Sequence, residues 1–384
     1  MSAEQGAINF PFEVLKGLAG TFAAVFSSHT ESPAQFYFFA FLTVLGSILS
    51  DKLCIASQIA TEPRLYTLLL GESADDRKST AISQTVKFFQ ESFSLLGQNA
   101  AFGVCNGVGS AEGLQLQIAQ TNRLVLCLDE FKAFVGKSKI ETSVLLPCVT
   151  TLFESTEYES RTRHSDIKLK DAHLSILAAS TVDTYESCWT PQFTAIGFNN
   201  RLWLVTGTGQ RKFAVPPKIP PEILAKLRSD LWGVLQRFSG KCEFHFEADA
   251  FEFFDAWYKS REQSVHARRL EGYALRLMPL LAVSDGKTSI DLDTVGKALL
   301  LCDWQLEVRK LYDPIDADNA IAKVEEKIRR TLGAKGPQKD WELKKATHAN
   351  RDGLWKYEKA KENLIRAEEI IFDPKTKEYR GNGR

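Results

Sequence analysis

Four short apolar runs decide most of what this 384-residue chain can fold into. They are RLYTLLLG at 64–71, RLVLCLDEF at 123–131, HLSILAAST at 173–181 and NRLWLVTG at 200–207. Each is brief, and they close in a glycine, an acid pair or small polar residues. Runs of this kind read as strands buried on both faces. Helical stretches separate them, with KSTAISQTVKFFQESFSLL following the first run. Apolar strands alternating with helices predict an α/β fold with a mostly parallel sheet covered on both sides.

The flanks read as helical. Residues 1–62 carry helices over 12–26 and 33–53. The second holds AQFYFFAFLTVLGSILS (34–50), the most apolar run in the chain. It is shorter than the ~20 residues that span a bilayer, and Ser47, Ser50 and Asp51 close it, so a buried helix is expected and no membrane partner. No basic segment followed by an apolar core marks a signal peptide. The proline-rich VPPKIPPEI (215–223) forms a boundary. Helices over 221–238, 248–282 and 291–311 follow it. A last unit begins near 313 with helices over 317–332, 341–346 and 353–367, then EEIIFDPKTKEYRG as two short strands. That is the pattern of a winged helix-turn-helix. The expected domains are therefore an N-terminal helical region (1–62), a core (63–214), a helical lid (215–312) and a winged helix (313–384).

Lys plus Arg and Asp plus Glu both number 48, so any basic surface must be local. Seven scattered cysteines without C-x-x-C suit a reducing, cytoplasmic setting without disulfides or a zinc site. The six histidines show no metal-ligand spacing either.

The first strand runs into LLLGESADDRKST (68–80). A strand, a turn and a helix N-terminus cradle phosphate because backbone N–H groups point at the anion. A lysine then reaches the β- and γ-phosphates, and a hydroxyl binds Mg²⁺. Gly71, Arg77, Lys78, Ser79 and Thr80 are the candidates, with Lys78 as the amine and Ser79 as the metal ligand. The loop is one residue longer than G-x-x-x-x-G-K and lacks its second glycine. Asp75 and Asp76 would repel a triphosphate unless turned outward. On the bland reading this is only a turn, with Asp76 as the helix N-cap. Some fifty residues on, the second strand ends in Asp129 and Glu130. In a phosphate-loop ATPase such a strand lies beside the loop, its Asp holding Mg²⁺ and its Glu polarising water.

GVGSAEGL (107–114), LCLDEFKAF (126–134), TLFESTEYESRTR (151–163), LSILAAST (174–181) and ARRLEGYALRL (267–277) occur in that order. Together they resemble the AAA+ ATPase core of the minichromosome maintenance helicases. They are still more similar to primase-associated, helicase-like proteins of phages, plasmids and other mobile elements. The resemblance implies ATP and Mg²⁺ as ligands, with Lys78 and Ser79 as the Walker A pair and Asp129 and Glu130 as Walker B. Thr181, or Ser180, matches the sensor that orients water. Arg201 matches an arginine finger reaching a neighbour's γ-phosphate. Arg268, or Arg269, matches the lid's sensor arginine. RTRHSDIKLK (161–170) falls where such helicases carry a channel hairpin, so Arg161, Arg163, His164 and Lys168 are expected to grip DNA phosphates.

This sequence departs from that pattern at the loop, where Glu72 competes with Gly71 for the first position, and at Thr181, where relatives commonly have Asn. The last unit holds seventeen Lys and Arg against twelve Asp and Glu from 318 onward. Lys344, Lys345, Arg351 and Lys356 are its candidate DNA contacts. The glycine-rich SLLGQNAAFGVCNGVG (94–109) reads as a mobile loop. The resulting expectation is a DNA motor that replicates a mobile element. It would form a homo-oligomeric, hexameric ring on single-stranded or forked DNA, with a primase or another replication protein as a possible partner. The alternatives are a nucleotide-binding scaffold or initiator with little hydrolysis, and the ATPase of an anti-phage system.

Overall fold

The computed structural model describes residues 8–58, 61–71, 76–95, 101–139, 143–161, 166–189, 196–261, 263–314 and 320–382. They divide into two compact units, Pro11–Leu306 and a smaller one made of 8–10 with 307–382.

The larger unit opens with α1 (Gly17–Ser28) and α2 (Ala34–Ile48). The helix expected over 12–26 is broken, because Lys16 is extended and Gly17 adopts a φ of +64°. A short strand, β1 (Leu53–Ile55), precedes β2 (Tyr66–Gly71) and α3 (Lys78–Ser94). Next come β3 (Gly103–Asn106), α4 (Ala111–Thr121), β4 (Arg123–Leu128), α5 (Phe131–Ser138) and α6 (Leu145–Thr151). The hairpin β5 (Tyr158–Arg161) and β6 (Asp166–Leu169) leads to β7 (His173–Thr181), α7 (Val182–Cys188) and β8 (Trp203–Thr206). The unit continues through α8 (Pro221–Arg237), β9 (Cys242–Phe244), α9 (Ala248–Ser260) and α10 (Leu270–Ser284) to α11 (Leu292–Tyr312), whose residues from 307 on belong to the smaller unit. The helix expected over 248–282 is two helices. Residues 261–269 carry no helical apolar stripe, and Arg269 turns the chain in a left-handed conformation at φ +64°.

The fold is α/β. Five parallel strands form one sheet in the order β3-β4-β7-β2-β8, flanked by helices. On one face α2 lies against the sheet: Thr43 and Thr67 share a hydroxyl hydrogen bond of 2.7 Å, and Phe39 packs on Trp203. On the other face the Tyr66 hydroxyl donates to the Val149 carbonyl of α6 at 2.7 Å. Every residue of α2 after Ala34 is buried, which is why its sequence shows no polar face. Among the described residues no helix is long and apolar enough to cross a membrane.

Two features were not read from the sequence. The edge strand β3 lies inside the stretch read as a mobile loop. Strands β1 and β9 pair in parallel as a separate two-stranded ribbon.

The smaller unit contains α12 (Ala320–Lys335), β10 (Gln338–Lys339), α13 (Asp340–Ala346), α14 (Ala349–Asp352), α15 (Leu354–Arg366), β11 (Ile370–Asp373) and β12 (Glu378–Gly381). Its sheet is antiparallel, in the order β10-β12-β11. Val324, Ile328, Leu343, Tyr357 and Leu364 form its core.

Candidate functional site

Because the central strands are parallel, their C-terminal ends share one edge of the sheet. Gly71 of β2 is paired with Thr181 of β7, Leu70 with Thr206 of β8, and Leu128 of β4 with Ala178 of β7. Along that edge the order is the acid pair after β4, then Thr181, then Gly71 with Lys78, then the segment leaving Thr206. The expectation that the acid-bearing strand lies beside the loop needs correction. Strand β7 intervenes, so β4 and β2 are two strand spacings apart, roughly 10 Å. Parallel strands are joined through crossovers, and the crossovers rather than local sequence set their order.

Lys78 is the first residue of α3. It is buried, and its ammonium donates to the Gly71 carbonyl at 3.1 Å. Ser79 is exposed and Thr80 half-buried on the same turn. Asp129 and Glu130 are exposed beyond the end of β4, and Glu130 precedes α5 without capping it through its side chain. Asp129 acts back on its strand: burial, with the nearby carboxylate second, pushes the Cys127 thiol up to about 12. Thr181 caps α7, accepting from the Thr184 N–H and donating to the Thr184 hydroxyl at 2.8 Å. Ser180 donates to the Thr181 carbonyl.

The loop's unusual residues have specific places. Glu72, Ala74 and Asp75 lie outside the described residues. Asp76 does not cap α3. That position is held by Arg77 in a left-handed conformation, with no side-chain cap. Asp76 is instead buried and accepts from the Gly209 N–H at 2.6 Å. A Cβ on Gly71 would stand 2.3 Å from the Asp76 carboxylate, so a side chain at 71 would have to displace it. Arg77 donates through two nitrogens to one oxygen of Glu31, at 3.0 and 3.2 Å. The other oxygen of Glu31 accepts from the Lys212 and Phe213 N–H groups. The Phe213 N–H, then the Arg77 guanidinium, hold the Glu31 carboxyl below its ordinary range.

Sequence reading passed over the segment these contacts hold. TGTGQRKF (206–213) leaves β8 on the same edge as Lys78 and is clamped by Asp76 and Glu31. Its signal was present: two glycines and two basic residues directly after a buried strand.

Arg201 lies elsewhere. It sits in a one-turn helix before β8, not on the strand as expected, because Asn199 and Asn200 turn the chain there. Its level is the N-terminal edge of the sheet. Trp203 pairs with Thr67, four residues before Gly71, which sets Arg201 at least about 13 Å from the Lys78 edge. Its guanidinium donates to the Gly197 carbonyl at 3.0 Å, while its Nε is buried with no hydrogen-bond partner among the described residues. Burial first, then the neighbouring Arg269, lowers its pKa. Arg268 is exposed on the turn before α10, and Arg269 pairs with Glu154. Glu154 also accepts from buried Arg276, and the Tyr273 hydroxyl donates to the Arg201 carbonyl at 2.5 Å. The candidate finger and lid arginines thus gather on the opposite edge from Lys78, and neither joins the Lys78 group within one chain.

In the hairpin, Glu159 pairs with Lys168 and Arg161 with Asp166 in register. Arg161 and Lys168 are exposed, and each forms an ion pair with Glu159, at 3.8 and 3.5 Å. Arg163 and His164 lie outside the described residues. In the smaller unit Lys345 and Arg351 are exposed and Lys356 is partly so. Lys344 is tied into its own unit, at 2.7 Å from Asp340 and 3.2 Å from Glu358.

No protein-family model and no curated protein matches this chain. The fold established is therefore the coarser one, an α/β core with a parallel sheet compatible with phosphate-loop proteins. The edge itself offers a buried amine, hydroxyls and two solvent-facing carboxylates on neighbouring strand ends, groups suited to a metal-bound polyanion.

Proposed function

We propose that this chain is an AAA+ ATPase of helicase type that works as a ring on DNA. The observation that carries the reading is the gathering of Lys78, Thr181, Asp129 and Glu130 on one sheet edge while Arg201 and Arg269 gather on the other. On this reading Lys78 binds the β- and γ-phosphates. Ser79 and Asp129 hold Mg²⁺, the roughly 10 Å between strands β4 and β2 suiting an aspartate that acts through water. Glu130 takes the proton of the attacking water, and Thr181 orients that water. The opposed edges favour an arginine supplied by the next subunit, since one chain cannot bring Arg201 to its own Lys78. Such a head-to-tail contact generates a ring where its rotation closes. The exposed β5–β6 hairpin then meets DNA phosphates, and the smaller unit, read as a winged helix, offers Lys345 and Lys356 as further contacts.

Steady-state ATP hydrolysis with and without single-stranded DNA tests this. Glu130→Gln is expected to keep ATP binding and lower turnover by about 10²–10⁴. Absence of turnover by the wild type under any DNA condition sinks the motor reading.

A second reading, a nucleotide-binding scaffold with little hydrolysis, is favoured by one observation. The Asp76 carboxylate lies against Gly71, next to the carbonyl that Lys78 engages.

A further inference from the structure

The connector after β8 is fixed beside the candidate site by contacts with two other parts of the fold, residues 31–35 and Asp76. The Thr206 carbonyl accepts from the Gln35 side-chain amide at 3.1 Å. Gly207 passes so close that a Cβ there would meet Gln35 at 2.7 Å and Pro33 at 3.1 Å. Gly209 donates to Asp76, and the N–H groups of Lys212 and Phe213 straddle a Glu31 oxygen at 3.1 and 3.3 Å. Asp76 and Arg77, two residues of the irregular phosphate loop, both serve this clamp. Within it the exposed Arg211 and Lys212 are two adjacent cations in a strip whose backbone is pinned beside the first turn of α3.

We propose that the segment 207–212 is the second wall of the triphosphate seat, with Arg211 and Lys212 as its phosphate-binding charges. The inference rests on reading Lys78 as the nucleotide lysine. It explains the loop chemistry as an exchange. The loop gives up its second glycine for residues that hold a basic strip against the site, and the strip supplies positive charge beside the altered cradle. One oxygen of the buried Asp76 carboxylate is engaged by the Gly209 N–H in this arrangement.

The test is titration of the full chain with Mg²⁺-ATP and with Mg²⁺-AMP by calorimetry, for wild type, Lys78→Ala and Arg211→Ala/Lys212→Ala. The double variant is expected to bind ATP roughly tenfold to a hundredfold more weakly, the worth of one or two charge-assisted hydrogen bonds. Its AMP affinity should change far less, and its unfolding midpoint should match the wild type. A companion variant, Glu31→Ala, removes the acceptor of the Lys212 and Phe213 N–H groups and is expected to weaken ATP in the same direction by a smaller factor. Wild-type binding that is lost in Lys78→Ala but unchanged in the double variant overturns this inference and leaves the site reading standing. Wild-type chain that binds no ATP overturns both.

Discussion

The guanidinium of Arg276 is enclosed on all sides. It donates to the carbonyls of Glu62, Arg64 and Phe153 and to Glu154, and it lies 4.1 Å over the Phe153 ring. Burial lowers its pKa, and the Glu154 carboxylate opposes that fall. One side chain thus ties α10 to the segment entering β2 and to the end of α6. Replacing it with Met leaves three carbonyls without this donor and Glu154 with Arg269 as its remaining cation. Arg276→Met is expected to cost about 3–5 kcal/mol, measured as a lower urea midpoint. Its importance was partly legible, since it interrupts the apolar run YALRLMPLLAV, where an unpaired charge would be costly. Its partners were not, because they lie more than a hundred residues away. Lys78, Asp129 and Glu130 were legible because each ends or follows a strongly apolar run. The clamp roles of Asp76 and Arg77 depend on residues 31 and 209–213, and no local pattern announces them.

Between elements, the contact of α13 with α15 turns on Asp340. Burial pushes its carboxyl up, but hydrogen bonds from Lys344, Lys361 and Tyr357 overcome this and bring it down to about 2. Lys344 and Lys361 each lie 2.7 Å from this carboxylate, and the Tyr357 hydroxyl donates to it at 2.8 Å. An unfolded aspartate titrates near 3.9. The folded carboxyl is therefore depressed, and its contribution is present above about pH 4 and lost as pH falls towards 2. Asp340→Asn is expected to lower the unfolding midpoint at pH 7, with the gap to wild type closing between pH 4 and 2. Thermal melts across that range check it. Long buried strands such as β7 were readable to the residue, because both faces are apolar. The edge strand β3 escaped notice for the opposite reason. It is half-exposed, contains Gly103 and adjoins Gly107, and its pairing with β4 supplies its order. Strands β1 and β9 are three residues each and pair across almost two hundred residues, beyond any local signal.

At the scale of the molecule, opposed edges make a test of assembly. If Lys78 and Arg201 serve the same nucleotide only across a subunit contact, Lys78→Ala and Arg201→Ala proteins are each inactive alone. Mixed in equal amounts, they form contacts in which an intact Lys78 faces an intact Arg201, about a quarter of all contacts in a head-to-tail ring. Recovery of ATP turnover to about that fraction is expected, and mixtures that stay inactive refute shared sites. The class of the fold was legible from the alternation of strands and helices. The order of the strands was not, because the crossovers that insert β7 between β4 and β2 are long-range choices.

The burial of α2 on every side also bears on how the molecule is made. Trp203, against which Phe39 packs, is synthesised some 160 residues after that helix. At ribosomal speeds of 5–20 residues per second that is a delay of roughly 8–30 s. For that interval the greasiest segment of the chain has only an incomplete sheet to rest on. A nascent polypeptide of this design depends on sheltering by chaperones more than one whose central helix has a wettable side.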